Sequence, residues 1–194
     1  MDKEYYSTRI EEEIKAFYSQ EGIEDIRKSP ASVWSACMRH VNAKVIDRDD
    51  ITEHYILNGA KMVQFDNEKL EMLLDIYLEQ CERYDKIPTA WSYALMCGIG
   101  YSTIEEWCND YRGLGVTSLR VEIVKKLSRA KECALEGRIQ DGSRNPLGAI
   151  ATLNRWYGWK EPEQIADNPN RVRLDEIPNL ASLLPKFDEE GKEV

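Results

Sequence analysis

The side chains with ligating potential are few and far apart along the chain. Cys37 and His40 have the Cys-x-x-His spacing of a metal site, but no second pair of ligands lies nearby. Cys37 is therefore predicted to be a core thiol and His40 a surface residue. Residues 98–100 (Gly-Ile-Gly) begin a G-x-G motif, but Thr103 stands where a nucleotide-binding loop has its third glycine.

The sequence motifs of enzymes are missing as well. The sequence contains no G-x-x-x-x-G-K-[ST] phosphate loop. No nucleophile has a general base and an orienting group at a recognisable spacing. We therefore predict a protein that is not an enzyme, with no catalytic residues, no metal and no cofactor.

Residues 90–109 (AWSYALMCGIGYSTIEEWCN) have the pattern of a helix-turn-helix. This motif needs a small residue inside its first helix and a glycine in left-handed conformation at the turn. Ala94 and Gly98 occupy those positions, and Ser102 with Glu105 is expected to form a capping box on the second helix. An ordinary helical hairpin is the alternative. The apolar residues expected to pack the two helices together are Tyr93, Cys97, Ile99, Ile104 and Trp107.

The second helix of this motif has an acidic outward side. Because Glu105 and Glu106 would repel phosphates, Thr103 and Asn109 are the only candidate base readers. Phosphate contacts are expected to dominate, with modest sequence specificity. A solvated basic face without DNA is the alternative. The predicted phosphate contacts are Arg112, Arg120, Lys125, Lys126 and Arg129, and further positive charge comes from Lys131, Arg138 and Arg144.

The net charge of −9 is unevenly distributed along the chain. Residues 1–85 carry a net charge of −8 and residues 161–194 a net charge of −5. Residues 86–160 carry a net charge of +4. Polyanion binding is therefore predicted for the middle segment.

The elements that position these residues are predicted to be helices. Apolar side chains recur at helical spacing over 4–19, 67–84 and about 117–137. Pro30, Pro88 and the pair Asn145-Pro146 are typical of helix starts, and Gly158 of a helix end. We predict a mainly α, multi-helix fold with a central helix-turn-helix and a following helical hairpin.

A β-hairpin is one of two interpretations of the segment near 54–64. Asn58-Gly59 is flanked by apolar residues, as in a hairpin with a type I′ turn. It fits equally the end of a short helix at Asn58, and both interpretations stay open.

The predicted organisation is an N-terminal helical segment (1–64), a helix-turn-helix domain (65–115), a helical oligomerisation region (116–160) and an acidic tail that is extended or disordered (161–194).

The sequence also predicts a cytoplasmic protein without a membrane span. The uncharged run 87–104 is interrupted by Pro88 and Gly98 and falls short of the ~20 apolar residues that a span needs. The N-terminus has no apolar signal core, and the five cysteines form no C-x-x-C pair. Reduced thiols that serve as small apolar side chains are expected.

The acidic tail keeps a small apolar cluster at helical spacing. Such a segment is typical of a docking peptide that becomes a short amphipathic helix in a partner's groove. The alternative is that the cluster packs on its own chain or on a neighbouring subunit. The predicted partner-binding residues are Leu180, Leu183, Leu184 and Phe187.

Two stretches resemble phage terminase small subunits. Phe65 to Trp107 is similar to the opening domain of that family: an apolar helix, a Pro-Thr step, a helix that ends in an aliphatic-glycine turn, and a serine-capped helix. Arg144 to Lys160 resembles the family's closing motif of Asn-Pro, a small-residue helix and an aromatic-glycine-aromatic end. The two stretches and the helix between them cover about half of the chain.

The resemblance implies a DNA-packaging protein that has no catalytic activity of its own. Such a protein binds double-stranded viral DNA, assembles into a homo-oligomeric ring and recruits the large terminase subunit, in the cytoplasm of the bacterial host. The acidic second helix departs from the family pattern. Two other classes stay open: a helix-turn-helix transcription regulator of phage or host origin, and an adaptor protein that does not bind DNA.

Overall fold

Helices dominate the part of the chain that the computed structural model describes, which is residues 2–57, 60–112, 119–141 and 146–159. A single antiparallel strand pair accompanies them there. The predicted mainly α fold is confirmed. The elements are α1 (Lys3–Gln20), α2 (Ala31–Val45), β1 (Thr52–Leu57), β2 (Ala60–Phe65), α3 (Asn67–Arg83), α4 (Ala90–Cys97), α5 (Tyr101–Arg112), α6 (Leu119–Gln140) and α7 (Leu147–Tyr157).

Three predicted helix starts are displaced by one or two residues. Pro30 lies just before α2 instead of at its first position. Helix α4 begins two residues after Pro88, because the Thr89 side chain accepts from the Ser92 amide and caps the helix. Helix α5 begins at Tyr101, so the predicted capping box is wrong: Ser102 lies inside the first turn, where it cannot act as the cap.

The strand pair confirms the hairpin interpretation of the segment near 54–64. Strand β1 pairs with β2 in an antiparallel register that runs from Thr52 opposite Phe65 to Leu57 opposite Ala60. The predicted turn residues, Asn58 and Gly59, lie outside the described residues. At its other end the pair is tied to the Asp49–Ile51 turn, since the Asp66 amide donates to the Ile51 carbonyl at 2.9 Å.

Helix α3 is the centre of the core. Helices α1, α4 and α6 pack against it, and α2 packs against α1 and α4. The Tyr93 hydroxyl of α4 donates to the Leu70 carbonyl of α3 at 2.7 Å, which satisfies a buried polar group. One apolar cluster extends from Tyr6 to Leu127 and includes residues of three predicted domains, whose boundaries stay a prediction. The fully buried residues of α3 are Leu70, Leu73, Leu74, Ile76 and Tyr77.

The chain divides into two units, Met1–Leu153 and Asn154–Val194. In the second unit the described residues are 154–159. Gly158 has a φ of +68°, so it ends α7 as the predicted left-handed glycine. The Arg155 guanidinium carbon lies 5.4 Å from the centre of the Trp156 ring. The predicted tail and its four partner-binding residues lie outside the described part of the chain.

The thiols of Cys37, Cys81 and Cys97 are buried, which confirms Cys37 as a core thiol. Burial raises the pKa of each of these three thiols to about 12, so they stay protonated. His40 is half-buried, so it is less exposed than predicted, and its Nε2 lies 3.0 Å from a carboxylate oxygen of Glu13. Across the described ranges, no group of three or more His, Cys, Asp or Glu side chains could hold a metal ion.

No helix within those ranges is both long enough and apolar enough to cross a lipid bilayer.

Asp66 caps α3, and its replacement gives a pH-dependent prediction. Its side chain accepts from the Glu68 and Lys69 amides, and its other carboxylate oxygen lies 3.1 Å from the Lys69 ammonium. Partial burial would raise the pKa of Asp66, but these contacts outweigh it and hold the pKa below its ordinary value. The cap therefore stabilises the fold above the carboxyl's unfolded-state pKa, and the effect is lost as the pH falls through the lower folded-state pKa.

We expect Asp66→Ala to lower the free energy of unfolding by about 1 kcal/mol at neutral pH. The difference from wild type should shrink in acid, as urea unfolding at a series of pH values will measure. Asp25→Ala is the control, because Asp25 caps only a single short turn. A difference at Asp66 that does not change with pH would contradict this account.

Candidate nucleic-acid interface

The turn between α4 and α5 has the geometry that a helix-turn-helix requires. Gly98 ends α4 with a φ of +67°, as predicted, and the Ile99 amide donates back to the Ala94 carbonyl at 2.9 Å. Three residues then connect α4 to α5. The chain reverses sharply because a residue without a Cβ occupies the left-handed position.

A second reason for glycine at position 98 is that a side chain of α2 lies close to its Cα atom. The Asn42 side chain donates to the Met96 carbonyl at 2.9 Å, which satisfies a carbonyl in the last turn of α4. A Cβ built on Gly98 would lie 3.0 Å from the Asn42 Nδ2 atom. The turn is therefore fixed by its own backbone and by a contact from another helix.

The residues predicted to pack this motif are all buried. Trp107 of α5 forms an edge-to-face contact with Phe65, with ring centres 6.1 Å apart. The first turn of α4 is held to α3, because the Tyr77 hydroxyl accepts from the Thr89 amide at 3.0 Å. The buried packing residues are Tyr93, Ala94, Cys97, Ile99, Ile104 and Trp107.

The outward side of α5 is acidic and polar. Glu105, Glu106 and Asn109 are exposed, whereas Thr103 is half-buried. Of the two predicted base readers, Asn109 is thus the more accessible. Arg112 is the last residue of α5, and its side chain lies outside the described part of the structure.

An exposed aromatic pair adjoins this side. The rings of Trp91 and Tyr101 meet edge to face with centres 5.4 Å apart, and the two residues are 39% and 62% exposed. Nothing in the sequence singles out these two residues. Their spacing of ten positions carries no periodic signal, and they come together only because the turn at Gly98 brings the start of α5 back toward α4.

Two of the predicted phosphate contacts on α6 are already paired with carboxylates. The Lys125 ammonium lies 2.6 Å from Glu122 one turn earlier. The Lys126 ammonium bonds to Glu71 of α3, and this hydrogen bond raises the pKa of Lys126, so the lysine stays charged. Their net positive field is weaker than the sequence suggests, because each charge is offset by a neighbour.

The other two predicted phosphate contacts on α6, Arg120 and Arg129, are not paired with a carboxylate of the described residues. The guanidinium carbon of Arg120 lies 5.7 Å from the centre of the Trp107 ring, a cation–π contact, and Arg120 forms no ion pair with any residue that the structure describes. Arg129 is exposed and forms no ion pair with any residue in the described ranges. Of the predicted phosphate contacts whose side chains are described, these two carry the least compensated charge.

Comparison of the chain with protein-family models, with curated proteins and with solved structures finds no match. The resemblance to terminase small subunits therefore depends on the sequence motifs alone.

Gly98→Ala tests whether Asn42 fixes the turn. A non-glycine residue in this conformation costs about 1–3 kcal/mol, and here the new methyl group also presses on the Asn42 amide, which must shift and so strain its hydrogen bond to the Met96 carbonyl. Gly22 is the matched control, because it has the same φ of +67° with no atom within 4 Å of a built Cβ. We expect Gly98→Ala to lower the melting temperature more than Gly22→Ala. Equal losses would show that the Asn42 contact contributes nothing.

Proposed function

We propose that this chain is a non-enzymatic DNA-binding protein of viral genome packaging, similar to a phage terminase small subunit. The observation that supports this best is the left-handed turn at Gly98, which sets α5 against α4 with one side of α5 facing outward. The two terminase-like sequence stretches enclose this motif. In this proposal the protein acts in the cytoplasm of the bacterial host.

The proposed DNA binding is electrostatic and only weakly sequence-specific. Glu105 and Glu106 disfavour deep insertion of α5 into a groove, which leaves base contacts to Asn109 and Thr103. Arg120 and Arg129 then supply the phosphate contacts of α6. Affinity should therefore fall steeply with salt and vary little among sequences.

Ring assembly and recruitment of the large terminase subunit complete the proposal. Helix α7 presents large apolar side chains to solvent: Leu147 is 68% exposed and Trp156 is 58% exposed. Exposed apolar residues of this size are typical of protein interfaces. The docking peptide at Leu180 to Phe187 remains the predicted contact for the large subunit.

A second candidate function, a protein-binding adaptor, is favoured by the aromatic pair. Trp91 and Tyr101 lie exposed beside an acidic helix side, a combination that suits a basic protein partner better than a polyanion. Particle size from light scattering, together with DNA affinity from a titration, distinguishes the three classes of protein. A packaging subunit is expected to be a ring that binds DNA, a regulator a DNA-binding dimer, and an adaptor a monomer without DNA affinity.

The ion pair between Lys126 and Glu71 provides a sharp test of DNA binding. We expect Arg129→Ala to weaken binding to all duplexes and to reduce the salt slope by about one. Lys126→Ala should have a smaller effect, because Glu71 already offsets that charge. Glu71→Gln should strengthen binding, because it releases Lys126.

Fluorescence anisotropy over a salt series measures all three variants. Glu4→Gln is the control for Glu71→Gln, since it removes an exposed acidic charge of α1 that pairs with no cation of α6 among the described residues. The proposed surface would be wrong if Arg129→Ala left the salt slope unchanged, or if Glu71→Gln behaved like Glu4→Gln.

Trp156→Ala tests assembly through α7. Truncation of a tryptophan at an interface commonly costs more than 2 kcal/mol of association free energy, about a thirtyfold loss of affinity. We therefore expect smaller particles in light scattering with an unchanged helical spectrum. Asn154→Ala, also exposed on α7, should keep the wild-type size. Wild-type assembly of the Trp156 variant would place the interface elsewhere.

A further inference from the structure

A cavity with strongly basic walls lies between the start of α2, the segment that leads into α4, and α6. Its volume is about 640 Å³, within the range of about 300–1,000 Å³ that is typical of small-molecule sites. None of the predicted DNA-binding residues lines it. Its charged lining residues are Arg27, Lys28, Asp85, Lys86, Lys131 and Arg138.

The charge of these walls contrasts with that of the whole protein. Five cationic side chains and one carboxylate face the cavity, in a chain whose net charge is −9. A second cavity, of about 840 Å³, shares Asp85, Lys86 and Arg138 with the first and is lined elsewhere by residues of α1, α3 and α6. Carboxylates outnumber cations in its lining, whereas cations outnumber carboxylates in the first cavity.

The cations of the basic cavity fall into two groups. Lys28 and Arg138 pair with Asp25 and Asp85 at 3.2 and 3.6 Å. Arg27 and Lys131 form no ion pair with any residue in the described ranges, so their charges are available to a ligand. They come from distant parts of the chain and face the same space.

Lys86 places a buried positive charge at the wall of the cavity. The residue is 8% exposed, and its ammonium donates to the Arg27 carbonyl at 3.2 Å and to the Ser29 carbonyl and hydroxyl at 2.8 and 2.9 Å. The lysine therefore orders the segment before α2 and places an ammonium group at the wall of the cavity.

The start of α2 adds donors to the same space. Pro30 precedes the helix and provides no side-chain acceptor. The amides of Ala31 and Ser32 have no acceptor among the described residues, and Ala31 lines the cavity. Free amides at the start of a helix complement an anion.

We propose that this cavity binds a phosphate group, held between Arg27 and Lys131 and facing the first amides of α2. Tetrahedral oxyanions suit this site because guanidinium, ammonium and amide donors line it, and its one carboxylate, Asp85, is paired with Arg138. Apolar side chains, those of Trp34, Ile87 and Leu135, also line the cavity, and its volume exceeds that of a phosphate group, so the organic part of a phosphate ester could lie against them. The inference is independent of the DNA-binding proposal, since it uses other residues.

NMR titration of the full chain tests this assignment, with the Ala31 and Ser32 amide signals as reporters. Inorganic phosphate, at constant ionic strength set with sodium chloride, should shift both signals saturably. We expect Arg27→Gln and Lys131→Gln each to weaken this binding about tenfold, the loss of one charge-assisted contact. Lys44→Gln, which removes an exposed cation from the opposite end of α2, should bind like wild type.

Two competitors then identify the source of the phosphate. Displacement of inorganic phosphate by adenosine monophosphate, but not by duplex DNA, would identify a small phosphate ester. Displacement by the duplex would identify the DNA backbone. The assignment is overturned if none of the three probes shifts the two amides saturably, or if Lys44→Gln loses as much affinity as the two cavity variants. Because Arg27 is exposed, its variant still gives an answer if Lys131→Gln fails to fold.

Discussion

The contact of Asn42 with the left-handed turn at Gly98 is the constraint on which the arrangement of the central helices depends. The turn sets the direction of α5 relative to α4, and Asn42 ties the end of α4 to α2. Because α4 also packs on α3, the turn is held in place by the core. The outward side of α5 and the aromatic pair of Trp91 and Tyr101 follow from this one reversal of the chain.

Helix α3 is the element on which the other central helices pack. Its buried face receives α1, α4 and α6, and two tyrosine hydroxyls fix the start of α4 against it. Hydrogen bonds of this kind fix orientation more narrowly than apolar packing alone, because an unmade buried bond is costly. Helices α4 and α6, which carry the candidate interfaces, are therefore placed by the same element.

Electrostatics distinguishes the two functional proposals. On the side of α6 that was predicted to contact DNA, Glu122 and Glu71 offset the positive charges of Lys125 and Lys126. The net charge of this surface is therefore less positive than its number of basic residues suggests. In the cavity beside α2, Arg27 and Lys131 form no ion pair with any described residue, and the ammonium of the buried Lys86 lies in the same wall. A protein with a net charge of −9 can thus still present a concentrated positive site.

The sequence by itself determined the local features of this protein. Helical periodicity placed α1, α3 and α6 to within a few residues, and the glycine at position 98 predicted the left-handed turn, since both depend on near neighbours in the chain. It left the hairpin open, because Asn58-Gly59 suits two local structures and only strand pairing distinguishes them. It misplaced the cap of α5, where boundaries depend on a residue or two.

Only the tertiary structure decided which charged side chains lie close together in space. Lys126 and Glu71 are 55 positions apart, and Arg27 and Lys131 are still more distant in the chain, so no periodic pattern links them. Residues 1–85, which include Arg27, read as acidic in the sequence, yet folding places that arginine beside basic residues of α6. Helix packing sets these encounters, because the Coulomb interaction depends on separation in space.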